Sequence, residues 1–116
     1  MKALDGTKLE SPRQIEVGSF LVEAYANSLA FYKVLSTTDK SVVLQRVHDK
    51  QTRFENAGGP TGYRYCVPTD RPYSERKIRK IAKPSRSGET FIISGPIGKS
   101  PMALYDPNAE YNEYYE

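Results

Sequence analysis

The sequence predicts a mainly β protein, a small antiparallel β-barrel, and three observations carry that prediction. Residues 17–47, VGSFLVEAYANSLAFYKVLSTTDKSVVLQRV, hold three runs of apolar, β-branched and aromatic residues separated by two short polar breaks. Six or seven short segments of strand character are spread along the 116 residues. No long amphipathic helix pattern accompanies them. A chain of this length supports a single domain with a modest core.

Residues 1–16 are polar and aperiodic, with Gly6 and Pro12 as breakers, and read as an extended N-terminal arm. Residues 20–25 form the first strand, Ala26, Asn27 and Ser28 interrupt it, and residues 30–36 form the second. The TTDK turn follows, in which Asp39 can hydrogen-bond its own backbone. Residues 41–47 are the third strand. Period-two alternation there puts Val42, Leu44 and Arg46 on one face and Val43 and Val47 on the other. The three strands make a meander with one face in a core.

The pattern breaks between His48 and Pro72. Gly58, Gly59, Pro60, Thr61 and Gly62 read as a mobile hairpin tip, residues 63–67 as a short strand, and Pro68 and Pro72 as the frame of a turn. Residues 75–83, ERKIRKIAK, are ambiguous. A helix would gather Ile78, Ile81 and Ala82 on one face; a strand would set Ile78 opposite Arg79. The shortness of the segment and its lack of a helix cap favour the strand. Residues 90–94 are a strand ended by Gly95 and Pro96, and residues 102–105 are a last short one. The predicted domain therefore spans residues 17–105, an SH3-like or OB-like barrel followed by an acidic, tyrosine-rich tail over 106–116.

Charge is sorted along the chain. Residues 1–39 hold four basic and five acidic side chains, residues 40–90 twelve and five, and residues 91–116 one and four. Such sorting favours a polyanionic partner or docking of the tail on the body. The tail YDPNAEYNEYYE carries four tyrosines and four acids. It reads as a disordered segment, as an acidic and aromatic recognition element, or as a cover over the basic face. No apolar stretch approaches the roughly 20 residues of a membrane span. The N-terminal residues lack the apolar region of a signal peptide. The lone Cys66 provides no internal disulfide, so the expectation is the cytoplasm.

The segment from Val17 resembles a family of small bacteriophage and mobile-element proteins with a meander of the type G-Y-x-T-N-x-x-F-Y-x-V…K-S-V. The matching residues are Val17, Gly18, Ser19, Phe20, Leu21 and Val22, then Tyr25, then Phe31, Tyr32, Lys33 and Val34. Lys40, Ser41 and Val42, then Leu44, Gln45, Arg46 and Val47, follow in register. A basic strand at Arg76, Lys77 and Ile78, an aromatic strand at Phe91, Ile92 and Ile93, and residues 103–108 (ALYDPN) extend the likeness. Ala26, Asn27, Ser28 and Leu29 stand near the family's Gln-Thr-Asn triplet, and the family's tryptophans are missing. The resemblance implies a phage-type origin and a β-barrel. It implies no reaction.

No arrangement suited to catalysis is legible. His48 precedes Asp49, but a nucleophile–base site needs a third group in reach, and Ser41 and Cys66 sit in ordinary strand contexts. One Cys and one His cannot supply a structural zinc site. Residues 95–100, GPIGKS, end in Gly-Lys-Ser, yet the glycine spacing is too short for a phosphate loop and Pro101 blocks the helix it needs. No enzyme, metal or cofactor is expected. The stronger signal is basic. Arg64, Arg71, Arg76, Lys77, Arg79, Lys80, Lys83 and Arg86 fall within 23 residues, with Tyr63, Tyr65 and Tyr73 interleaved. Cations that neutralise phosphate and aromatics that stack on bases are the materials of a single-strand binder. The sequence therefore predicts a non-enzymatic accessory protein that contacts DNA or RNA. The alternative is an interaction module that binds or inhibits a host defence or transcription protein.

Overall fold

A computed structural model describes residues 1–115. The chain is mainly β, with one antiparallel sheet curled strongly into a half-barrel. Its strands are β1 (Phe20–Tyr25), β2 (Ser28–Thr37), β3 (Ser41–Gly58), β4 (Thr61–Ile81), β7 (Ala103–Leu104) and β8 (Asn112–Tyr115), in the order β7-β1-β2-β3-β4-β8. A two-stranded piece, β5 (Lys83–Pro84) with β6 (Phe91–Ile92), completes the β-structure, and the 3₁₀ turn Pro12–Gln14 precedes it all. The first strand starts and stops where the apolar run predicts. Its turn puts Ala26 in the left-handed region at φ 48°.

Through β1, β2 and the first part of β3 the sheet carries buried residues on both faces, not on one. Leu21, Ala30, Tyr32, Val34, Val42 and Leu44 face a core completed by Phe91, Ile93 and Met102. Val22, Phe31, Val47 and Cys66 face a second cluster, roofed by Tyr105 and Tyr111. The consecutive burial of Leu21, Val22 and Glu23 follows from this, as do the near-continuous apolar runs. The N-terminal residues are not an extended arm. Met1, Leu9 and Ile15 are buried in the larger core, so this segment packs into the half-barrel.

The β3–β4 hairpin is the dominant element. At about 3.3 Å per residue its longer strand would run roughly 65 Å if straight. The whole molecule is only 47 Å in its longest dimension, so the hairpin is bent. Its register shifts mark bulges, where strands commonly bend. Pro68 and Pro72 lack the ladder N–H, and the stretch they were expected to turn instead runs on as β4. Val47 pairs with Pro72 and Asp49 with Pro68, which pushes out Thr69, Asp70 and Arg71 opposite His48 alone. Gln45 pairs with Lys77, so residues 73–76 bulge opposite Arg46 alone. Residues 75–81 are strand, as the short uncapped segment suggests.

Candidate functional site

The bulges of β4 assemble the most distinctive surface of the molecule. Tyr73, 54% exposed, projects from the second bulge. The Arg46 guanidinium sits 4.3 Å from its ring centroid, and the His48 ring lies 5.1 Å away at a tilt of 45°. Gln45 Nε2 donates to the Ser74 carbonyl at 3.1 Å, and Thr69 Oγ1 donates to the His48 carbonyl at 2.7 Å. Both bonds tie the displaced backbone of β4 to β3. A recess of about 250 Å³ opens beside Tyr73, lined also by Arg46, Arg76, Ile78, Pro96 and Ile97.

The predicted phosphate-binding residues are divided by the register. Directly opposed residues of an antiparallel pair share a face. Lys77 opposes Gln45 and Arg79 opposes Val43, while Ile78 opposes the buried Leu44 and Lys80 the buried Val42. Lys77 and Arg79 therefore project to the face away from the larger core, and Lys80 lies at the margin of that core. Arg71, Arg76 and Lys83 are exposed on the same half of the hairpin and its continuation. None of these six cations, nor Arg46, has an ion-pair partner among the described residues.

Tyr63, Arg64 and Tyr65 lie elsewhere. They sit on the distal half of the hairpin, paired with the C-terminal strand β8 through Tyr114, Glu113 and Asn112. Arg64 is engaged within the protein, with only 17% of its side chain exposed. Its Nη2 donates to Asp49 at 2.6 Å and its Nη1 to Glu113 at 3.0 Å. These bonds, Asp49's first, raise its pKa above the ordinary arginine value. Tyr63 packs edge-on against Tyr114 at 5.2 Å, and Tyr65 carries the Arg53 guanidinium at 3.8 Å. Arg53 in turn holds Glu110 in a two-pronged pair at 2.8 and 3.2 Å, which keeps that carboxyl below its ordinary pKa. The described part of the tail is thus folded, and it docks beside Arg53 and Arg64 rather than over residues 71–83. Asp49, Cys66 and Glu113 place ligand atoms within 4.8 Å of one another, but the Arg64 guanidinium already bonds both carboxylates there.

One side of the recess depends on a residue the sequence did not single out. Glu23 is fully buried, and its carboxylate accepts from Tyr32 Oη at 2.8 Å, Ile97 N at 3.1 Å and Gly98 N at 2.6 Å. The loop whose Gly-Lys-Ser ending superficially suggests a phosphate site binds this internal anion. Backbone amides gathered in a tight loop suit an anion in either case. A Cβ on Gly95 would overlap the Glu23 carboxylate, so this position requires glycine. Burial first, and then the Glu23 hydrogen bond, push the Tyr32 phenol well above its ordinary pKa.

His48 is not paired with Asp49, whose carboxylate is taken by Arg64. Ser41 Oγ lies 2.8 Å from Thr38 Oγ1, a turn contact, and the Cys66 thiol is buried and pushed up to about 11 by that burial. The residues missed by sequence reasoning are Arg46 and His48 as partners of Tyr73, and Ile97 with Pro96 as a wall. Only Arg46 carried a signal, a lone cation at an inward-facing strand position. Among the described residues, no helix is long and apolar enough to cross a membrane. No protein-family model, curated protein or solved structure matches the chain.

Proposed function

We propose that this protein is a non-enzymatic module that contacts nucleic acid through the bulged half of β4. One observation carries the reading: Arg46, Arg71, Arg76, Lys77, Arg79 and Lys80 on one half of the hairpin, with Lys83 in its continuation β5, have no ion-pair partners among the described residues, and the exposed Tyr73 lies on the same half. Unpaired cations release counterions when they meet phosphate, which is the main source of sequence-independent affinity. Arg64, Tyr63 and Tyr65 fall outside this contact set because they lie on the distal half of the hairpin beside β8, where Asp49 and Glu113 hold Arg64. A role as a phage or mobile-element accessory protein acting in the host cytoplasm rests on the sequence resemblance.

The test is a fluorescence-anisotropy titration with DNA and RNA oligonucleotides at low and physiological salt. Binding should weaken steeply with salt, and Lys77→Ala should lower the salt slope by about one. The double change Arg79→Ala, Lys80→Ala should remove most of the affinity. No binding of any oligonucleotide at low salt would sink the reading. A host-protein partner is favoured by one specific feature, Ile81, which is 64% exposed among these cations. That alternative predicts that the charge-neutral change Ile81→Ser abolishes capture of the partner and leaves oligonucleotide affinity unaltered.

A further inference from the structure

We infer that the recess beside Tyr73 receives one unpaired nucleotide, so that the protein selects single-stranded over duplex nucleic acid; the inference rests on the reading above. Size is the first argument. At about 250 Å³ the recess falls just below the range of small-molecule pockets, roughly 300–1,000 Å³, and suits one base with its phosphate at the mouth. A base pair within a helix does not enter a hollow of that size.

The chemistry of the lining is divided in the way a nucleotide is divided. Arg46 and Arg76 line the recess as phosphate partners, and Ser74 adds polar groups. Ile78, Pro96 and Ile97 form an apolar wall for the flat face of a base, and Tyr73 supplies an aromatic edge or face. In a duplex those base faces are stacked against neighbours, whereas a single strand can splay them out. A second recess of about 300 Å³ is lined by His48, Asp49, Lys50, Thr69 and Arg71, and His48 contacts Tyr73. It supplies cations for the next phosphate along the strand.

The recess is also built before any ligand arrives. Arg46 is held over Tyr73 at 4.3 Å rather than free in solvent. The far wall is tied to β1, because Glu23 accepts from the amides of Ile97 and Gly98. Groups already fixed in place lose little freedom on binding.

The experiment compares single-stranded DNA, single-stranded RNA and duplex DNA of equal length, by anisotropy, on the wild type, Tyr73→Ala, Ile97→Ala and Lys77→Ala. Tyr73 and Ile97 are exposed, and a thermal melt of each variant verifies that the fold persists. Single strands should bind about tenfold more tightly than duplex, and either recess variant should lose about tenfold on single strands only. Lys77→Ala, on the other face, should weaken all three ligands alike. A preference for RNA over DNA would add a contact to the 2′-hydroxyl within the same site. Equal affinity for duplex and single strand, or recess variants that keep the preference, would overturn this inference and leave the nucleic-acid reading standing. Failure of every oligonucleotide to bind would overturn both.

Discussion

Glu23 is a buried carboxylate with no ion-pair partner among the described residues, held by a phenol and two backbone amides. Removing it strands the buried Tyr32 phenol and deprives two part-buried amides of their acceptor; an unsatisfied buried group costs about 1–3 kcal/mol. Glu23→Ala should therefore lower unfolding stability in urea by on the order of 3 kcal/mol. Gly95→Ala should cost about 1–3 kcal/mol by overlap with the same carboxylate. A wild-type urea midpoint for Gly95→Ala would show that the loop yields freely. Cys66 gives a pH dependence. Burial, reinforced by the charge of Asp49, raises its thiol from 9.0 to about 11, so the folded state holds the proton more tightly than the unfolded chain. That stabilisation is complete below pH 9 and is lost as the pH climbs through about 11. The raised Tyr32 phenol adds a loss of the same sign, beginning above its ordinary value of 10.0. Tm should fall across this alkaline range, and less steeply in Cys66→Ala; parallel curves would discard the thiol as a contributor.

At the scale of elements, the C-terminal strand is a structural part of the sheet. Glu113 pairs with Arg64 and also accepts from Leu29 N at 2.8 Å, while Tyr114 N donates to the Asn27 carbonyl at 3.0 Å. One side chain and one amide thus tie β8 both to β4 and to the start of β2. Glu113→Ala leaves a largely buried guanidinium with Asp49 alone and should cost on the order of 3 kcal/mol. Glu110→Ala breaks only a solvent-exposed pair and should change stability little. Paired denaturation curves of the two variants check this contrast, and equal losses would contradict it. Truncation of the tail after Asp106 should consequently destabilise the fold. It should not tighten nucleic-acid binding, because β8 lies against residues 62–65 and not against 71–83.

At the scale of the molecule, the half-barrel needs its N-terminal segment. Leu9 is 7% exposed and packs into the cluster that includes Leu21, Val34 and Phe91. Leu9→Ala should cost about 2–5 kcal/mol, the range for a truncated core side chain. A loss below about 0.5 kcal/mol, typical of a surface change, would return this segment to the status of a loose arm. Charge is partitioned at the same scale. The acids of the C-terminal segment neutralise Arg53 and Arg64 on the distal half of the hairpin, while the cations of residues 71–83 stay unpaired on the other half among the described residues. That division, rather than the overall charge of +3, directs a polyanion to one part of the surface.

Local pattern was enough for the β class, for both ends of β1, for the hairpin tip near Gly58 and Gly59, and for the strand character of residues 75–81. Each of these depends on neighbours a few positions apart: apolar alternation, glycine and the absence of a cap. The continuation of β3 beyond Val47 was not legible, because residues 50–58 are exposed and lack an apolar face. Ladder hydrogen bonds to β4 hold that stretch, and such partners lie far away in sequence. Met1, Leu9 and Ile15 are spaced without period, so their burial depends on a core assembled from distant strands that no local window contains. The basic run was visible as composition. Two bulges on either side of Pro72 and a strand register then divided it between two faces and set Tyr73 against Arg46 and His48. Composition is a property of the chain, whereas a face exists only once a partner strand has set the register.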